Sequence, residues 1–190
     1  MVTKTTTVQE KKKKKWVPIF ASAEFGNQEI GETYIEEAEQ AMGRTVESNL
    51  MMLTKDPKKQ NFNVYFQVTS VKNGQAFTTL REYQIQVAQL KRITKKSKNK
   101  LDDSFIYDTK DGKKVTIKPI LITKTLTYKT SLQLLRKTNR EFLKEHIKNV
   151  TGSQVMREVI DGTLQREIKI ALKKVTPVIN CTIKSAILKD

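Results

Sequence analysis

The chain has almost none of the residues that hold metals or form disulfides. Among its 190 residues there is one cysteine, Cys181, and one histidine, His146. A lone cysteine excludes an internal disulfide and a cysteine metal cluster, and a lone histidine removes most zinc chemistry. Cys181 alternates with Ile179 and Ile183, which favours a buried structural thiol over a nucleophile. His146 has no partner in any catalytic motif, so we expect it at the surface.

Long apolar runs and catalytic signatures are also missing. No stretch of about 18 apolar residues occurs, and the first thirty residues contain no apolar run of signal-peptide length. The chain has no phosphate-binding loop, no serine nucleophile elbow, no zinc-binding HExxH helix and no glycine-rich dinucleotide motif. We therefore expect a cytoplasmic protein that is not an enzyme and has no cofactor, no metal and no membrane partner.

Positive charge is abundant and unevenly distributed. The chain carries 36 Lys and Arg against 20 Asp and Glu, a formal net charge of +16. Residues 11–15 are five consecutive lysines, and residues 91–100 contain six Lys and Arg and no acid. Residues 24–47, in contrast, contain seven glutamates and one arginine. Phosphate groups are the partners that such basic runs neutralise, so two separate runs favour a polyanion over a solvated tail or loop.

Alternating apolar residues predict strands through most of residues 44–122. The Asn73-Gly74 pair between two such runs is a strong hairpin signal, and Asp111-Gly112 marks a second hairpin. Pro119 then belongs at a sheet edge or at a bulge. The predicted strands are Val46 to Met52, Phe62 to Val68, Phe77 to Val87, Ser104 to Tyr107 and Val115 to Pro119. Residues 30–42 fit a helix as well as they fit a strand or loop.

Helical periodicity replaces alternation from residue 131. Ser131 is the predicted N-cap of a first helix, Ser153 of a second, and a third runs from Leu164 to Leu172. A final strand, Ile179 to Ile187, returns to the β part. The predicted fold is α+β: an antiparallel core, β-barrel-like or a sandwich, with C-terminal helices and a basic N-terminal arm. The predicted divisions are an arm at 1–15, a core at 16–130, and helices with a closing strand at 131–190.

The first helix supplies a third basic element. Arg136, Arg140 and Lys144 recur every four residues and share a face, which fits phosphate contact; an ordinary solvated helix surface is the alternative. Trp16 and Tyr128 are aromatic residues near basic ones, and for both of them base stacking and core packing stay open. Asp102 and Asp103 would serve a nuclease only if they converged on metal ions, so turn and loop roles are favoured.

The order of features along the chain resembles the eS1 family of archaeal and eukaryotic small-subunit ribosomal proteins. No single motif is diagnostic, but together they extend from about residue 11 to 188. They are the basic run before Trp16-Val17-Pro18, Ile30-Gly31-Glu32-Thr33, Gly43-Arg44-Thr45-Val46-Glu47, Thr109-Lys110-Asp111-Gly112, Ile122-Thr123-Lys124, the segment Tyr128 to Arg140, and Pro177-Val178. The chain differs from longer members in ending at Asp190 without an extended tail, which fits an archaeal sequence or that of a reduced eukaryote. The family's basic loop before the long helix is reduced here to Lys124 and Lys129.

The resemblance implies a function without catalysis. It implies a β-barrel core with C-terminal helices, bound to small-subunit rRNA on the platform near the mRNA exit of cytoplasmic ribosomes. Neighbouring small-subunit proteins would be further partners, with mRNA near the exit as another, and no homo-oligomer is expected. A free RNA-binding regulator or chaperone is the main alternative, and a basic nuclease a weaker one. The candidate RNA-binding residues are Lys11, Lys12, Lys13, Lys14, Lys15, Trp16, Lys95, Lys96, Lys98, Lys100, Lys124, Lys129, Arg136, Lys137, Arg140 and Lys144.

Overall fold

The computed structural model describes residues 13–94 and 96–189, so the predicted roles of Lys11, Lys12 and Lys95 lie outside the described residues. The described chain is mixed α+β. Its strands are β1 (Lys15–Phe20), β2 (Glu29–Ile35), β3 (Thr45–Asn49), β4 (Phe62–Lys72), β5 (Gln75–Ile85), β6 (Lys100–Asp102), β7 (Phe105–Asp108), β8 (Lys114–Thr123) and β9 (Val178–Lys189). Its α-helices are α1 (Leu50–Thr54), α2 (Val87–Ile93), α3 (Lys129–Asn149), α4 (Gly152–Asp161) and α5 (Thr163–Leu172).

The nine strands join in one hydrogen-bonded sheet with the main order β2-β1-β5-β9-β8-β6. Strands β3 and β4 pair with each other, β4 also pairs with β5, and β7 pairs with β8. This confirms the α+β class with C-terminal helices and a returning last strand. The hydrogen-bonded order does not close on itself among the described residues, so the barrel-like core stays a prediction.

Contacts divide the chain into two compact units, and the hairpin of β4 and β5 contributes residues to both. Unit 1 comprises the described residues up to Val46 together with Gln67–Thr79. In it β1 pairs antiparallel with β2, and through Ile19 and Phe20 it pairs parallel with β5. One face of the β1–β2 hairpin is buried in a small core. This core contains Val17, Ile19, Ile35, Ala41 and Val68.

Unit 2 comprises Glu47–Phe66 and the described residues from Leu80 onward. Its central strand is β9, which pairs antiparallel with β5 on one side and with β8 on the other. Strand β8 is buried through most of its length, because β9 lies on one side and β6 and β7 lie on the other. The helices α3, α4 and α5 pack together, and α4 and α5 also contact β9.

Both predicted hairpin turns are present. Asn73 and Gly74 have φ values of 51° and 74°, and Gly112 has a φ of 74°, the left-handed region that these residue types tolerate best. Pro119 lies at a register shift between β8 and β9, which confirms the predicted bulge. The alternative position at a sheet edge is wrong, because β8 has partners on both sides.

Two segments predicted as strand are helical instead. Leu50 and Met52 belong to α1, which begins where the side chain of Asn49 accepts a hydrogen bond from the Met51 N–H. The helix buries Leu50 and Leu53, which are three residues apart, and leaves Met52 exposed, so the alternation from Val46 does not continue past the cap. Val87 likewise begins α2 rather than ending β5.

Several predicted boundaries shift. The ambiguous residues 30–42 are strand β2 followed by a single 3-10 turn at Ala38–Ala41. Helix α3 begins at Lys129 with Tyr128 as its N-cap, so the prediction of Ser131 is wrong by almost one turn. Helix α4 begins at Gly152 with Thr151 as its N-cap, so the prediction of Ser153 is also wrong. Helix α5 and strand β9 agree with the prediction.

The start of α4 is held by contacts from distant parts of unit 2. The Gly152 N–H donates to the Asp111 carboxylate at 3.1 Å, so the turn residue Asp111 also caps this helix. A Cβ atom on Gly152 would lie 2.7 Å from a methyl group of Leu188 on β9, which only glycine avoids without a rearrangement. The first turn of α4 therefore packs directly against the last strand.

Candidate nucleic-acid interface

Helix α3 has a buried stripe and a basic flank. Leu135, Asn139, Leu143 and Ile147 are fully buried and face the protein interior. At 3.6 residues per turn, six exposed cations line the surface beside this stripe, and Glu141 and Glu145 border them at the edge away from the stripe. These cations are Lys129, Arg136, Lys137, Arg140, Lys144 and Lys148.

The first part of α3 also belongs to a long stretch of sequence without acidic residues. Residues 112–140 contain eight Lys and Arg and no Asp or Glu. The middle of α3 is fixed to the sheet, because the Tyr107 hydroxyl on β7 donates to the Arg140 carbonyl oxygen at 3.0 Å. Burial raises the pKa of Tyr107 to about 12, although the nearby Arg140 acts in the opposite direction. The phenol therefore stays protonated and able to donate at neutral pH.

Asn99 joins two loops that the sequence presented as separate basic elements. Its N–H donates to the Thr123 hydroxyl at 3.1 Å, and its carbonyl oxygen accepts from the Thr123 N–H at 3.1 Å. Its side-chain oxygen accepts from the Thr127 N–H at 2.8 Å. Lys98 and Lys100, beside Asn99, are thereby brought next to the segment that carries Lys124 and leads into α3. Asn99 was not among the predicted residues, since an amide at a strand end gives no signal of this contact.

Two of the predicted cations are partly neutralised by acids. Lys100 pairs with Asp102 at 3.0 Å, and Arg136 pairs with Asp103 at 3.2 Å. Burial raises the pKa of Asp103, Arg136 lowers it, and Asp102 raises it further. The two aspartates bind different cations, and no group of three metal-binding side chains occurs within residues 13–94 and 96–189. This arrangement gives no support to a two-metal nuclease.

The loop cations and the α3 flank form what is called the basic surface below. Lys137, Arg140 and Lys144 make no ion pair with any described residue, so their charges are available to an outside anion. The first turn of α3 has no side-chain cap, and its unpaired N–H groups add positive potential there. The basic surface comprises Lys96, Lys98, Lys100, Lys124, Lys129, Arg136, Lys137, Arg140, Lys144 and Lys148.

Comparison with known proteins shows the family to which this chain belongs. The model of the family described as "Ribosomal S3Ae family" matches residues 2–190. The chain belongs to the ribosomal S3Ae family. A protein of Saccharolobus islandicus is 29% identical over 191 residues, which cover 100% of this chain and 92% of the relative.

Two further archaeal relatives show the same extent of similarity. A protein of Nanoarchaeum equitans is 29% identical over 166 residues, covering 87% of this chain and 84% of its own. A protein of Methanothermobacter thermautotrophicus is 28% identical over 180 residues, which cover 94% of this chain and 92% of the relative. Each of the three is named small ribosomal subunit protein eS1. The S3Ae resemblance derived from the sequence is thus confirmed.

The remaining predicted residues of this family member lie in unit 1. Lys13 and Lys14 precede β1, and Lys15 and Trp16 begin it, all four exposed. The Trp16 ring packs on the Tyr34 ring of β2 with centroids 4.9 Å apart. In the β1–β2 register Trp16 lies opposite Tyr34 and Pro18 opposite Glu32, so a carboxylate shares the face of the aromatic pair. The RNA-binding role of these residues stays a prediction.

The two residues considered for catalysis have structural surroundings. His146 is partly buried where α3, α4 and α5 meet, so the predicted surface position is wrong: its Nε2 lies 2.6 Å from Glu158 and its Nδ1 3.7 Å from Glu167. Cys181 is half-buried on β9, and burial raises the pKa of its thiol to about 12 despite the nearby Lys169. A thiol in that state is a poor nucleophile. No helix in the described part of the chain is long and apolar enough to cross a membrane.

Proposed function

We propose that this protein is a structural component of the small ribosomal subunit and that the basic surface binds rRNA. The supporting observation is the exposed flank of α3, where three cations make no ion pair with any described residue and two of them belong to a stretch of eight Lys and Arg without an acid. The archaeal relatives named small ribosomal subunit protein eS1 support the same function. From the family resemblance we further propose a location on the platform near the mRNA exit, in cytoplasmic ribosomes.

The proposed mechanism is positioning rather than reaction. Lys and Arg side chains on one rigid helix and two joined loops would neutralise several phosphates and fix the RNA segment against the protein. The planar guanidinium of Arg140 can bind a phosphate through two parallel hydrogen bonds, which a lysine cannot do. The basic N-terminal residues would add contacts of the same kind, and unit 1 would be free to meet neighbouring small-subunit proteins.

The salt dependence of rRNA binding tests this proposal. We expect the substitutions Lys137→Gln, Arg140→Gln and Lys144→Gln together to lower the slope of log affinity against log salt by about two to three. The matched control removes three exposed lysines elsewhere in unit 2, Lys58→Gln, Lys173→Gln and Lys174→Gln, and should leave the slope nearly unchanged. Binding to transcribed small-subunit rRNA would be measured at four or more salt concentrations.

Equal losses in both triple variants would show that net charge alone matters, and the assignment to α3 would be wrong. Co-sedimentation with small subunits at high Mg²⁺ and moderate salt separates the proposal from its alternative. A wild-type protein that binds RNA but stays in the soluble fraction would be a free RNA-binding regulator instead.

A further inference from the structure

The segment between β8 and α3 exposes two large apolar side chains. Leu126 is 70% exposed and Tyr128 is 85% exposed, the two highest values among the large apolar residues that the structure describes. An aromatic ring in this position contributes nothing to the core, and its exposure to water is unfavourable. Single exposed apolar residues are common on protein surfaces, but these two lie two residues apart and next to exposed lysines.

The segment is held in place although its side chains are exposed. The Thr127 N–H donates to the Asn99 side chain at 2.8 Å, between the two exposed residues. The Thr123 hydroxyl donates to the Thr125 carbonyl oxygen at 2.7 Å, and the Lys124 N–H donates to the Pro177 carbonyl oxygen at 3.0 Å. Tyr128 itself is the N-cap of α3, so its backbone is fixed by the helix that follows. A ring presented on a rigid backbone loses little conformational entropy when a ligand covers it.

The charges around Tyr128 select the chemistry of that ligand. Lys124 and Lys129 flank it in the sequence, both are exposed, and the nearest acids along the chain are Asp111 and Glu141. A ligand that suits this site has a flat apolar face and negative charge within a few ångströms of it. A nucleotide has both, because every base has a π-face and is joined to a phosphate. A protein partner would have to be acidic and apolar at once.

We propose that Tyr128 stacks on an unpaired base of a single-stranded RNA segment, with Leu126 packing beside it and Lys124 and Lys129 contacting the adjacent phosphates. This inference rests on the proposed rRNA binding and adds that the RNA is unpaired at this position. In an A-form duplex the base faces are covered by their neighbours and only phosphates and groove edges are accessible. The α3 flank binds phosphates in either form, whereas Tyr128 distinguishes between them.

The test compares three forms of the full-length protein on two RNA probes. The proteins are the wild type, Tyr128→Ala and Tyr128→Phe, and the probes are a 12-nucleotide single strand with 2-aminopurine at its centre and a 12-base-pair duplex. We expect Tyr128→Ala to weaken single-strand binding by about tenfold, the loss typical of one base–aromatic stack, without changing the salt slope. Tyr128→Phe should stay within about twofold of the wild type because it keeps the ring. Duplex affinity should be the same for all three.

The outcomes separate this inference from the function on which it rests. Equal single-strand affinity for Tyr128→Ala and the wild type, with a reduced salt slope in the α3 triple variant, would overturn the stacking site and leave rRNA binding intact. No binding of either probe by the wild type would overturn both. Normal RNA binding by Tyr128→Ala with loss of co-sedimentation on small subunits would identify a protein contact and also overturn the stacking site. Unchanged circular dichroism and melting temperature would show that each variant is folded, as expected for a side chain this exposed.

Discussion

Trp16 and Tyr128 are exposed aromatic residues with lysines beside both, but only Trp16 also has a carboxylate, Glu32, on its sheet face. Trp16 lies in unit 1, where the described residues contain six Glu against five Lys and Arg, and it packs on Tyr34. Tyr128 lies within a stretch of eight Lys and Arg without an acid. The difference teaches that exposure alone does not identify a nucleic-acid contact. The neighbouring charges rank Tyr128 above Trp16 as a base-stacking residue, although the sequence-based list contained only Trp16.

Reversing the charges beside Tyr128 should produce the largest effect, because it gives that ring acidic neighbours. We expect Lys124→Glu together with Lys129→Glu to weaken binding to small-subunit rRNA by about 100-fold at low salt, since two phosphate contacts are lost and two repulsions are added. The control reverses Lys58 and Lys174, which changes the net charge equally and should cost less than about tenfold. A similar loss in both proteins would mean that the two regions differ only in net charge.

A smaller effect should follow from loosening the helix that carries the basic flank. Tyr107→Phe removes the hydroxyl that donates to the Arg140 carbonyl oxygen, and we expect the free energy of unfolding to fall by about 1 kcal/mol. The folded-state pKa of Tyr107 is raised to about 12 from its ordinary value of 10.0. The stabilisation is therefore complete below pH 10 and is lost as the pH rises toward 12.

Urea unfolding at pH 7.5 and at pH 11 measures this difference. The gap between wild type and Tyr107→Phe should narrow at the higher pH. A gap that stays constant would show that the hydroxyl does not anchor α3. Urea unfolding of Trp16→Phe measures how much the Trp16–Tyr34 pair of unit 1 contributes to the free energy of unfolding, for comparison with Tyr107→Phe.

The smallest effect is expected in the acidic hairpin. Trp16→Ala should change rRNA affinity by less than about twofold, because Glu32 shares the face of its ring and repels phosphate. Combining Trp16→Ala with Glu32→Gln tests this reason. Without the Glu32 carboxylate, removal of the Trp16 ring should produce a measurable loss of rRNA affinity. A tenfold loss from Trp16→Ala alone would contradict the ranking of the two aromatic residues.

The sequence predicted the elements with strong local signals. The Asn73-Gly74 and Asp111-Gly112 turns, helix α5 and strand β9 all agree with it, because their periodicity or turn chemistry is unambiguous. It could not distinguish the five-residue helix α1 from a strand, since the decisive contact is the cap by Asn49. It also placed His146 at the surface, because a lone histidine gives no sign of carboxylates on two other helices.

For the candidate site, the sequence predicted the charges but not their arrangement. Arg136, Arg140 and Lys144 were recognisable from their spacing alone. The junction of the two basic loops depends on Asn99 and Thr123, which are 24 residues apart and carry no charge. Tyr128 stayed open because neither its exposure nor the hydrogen bonds that fix its loop can be read from neighbouring residues.

Strand β9 has a consequence for the time at which unit 2 can complete its packing during synthesis. It is the last element of the described chain, yet it lies between β5 and β8 and packs against the first turn of α4 through Leu188. A nascent chain that has emerged only as far as Pro177 therefore has two unpaired strand edges, and the first turn of α4 lacks the strand against which it packs. The sheet surface on which α4 and α5 pack is complete only once residues 178–189 have left the exit tunnel. We therefore expect the packing of unit 2 around α5 to be completed only after β9 has paired.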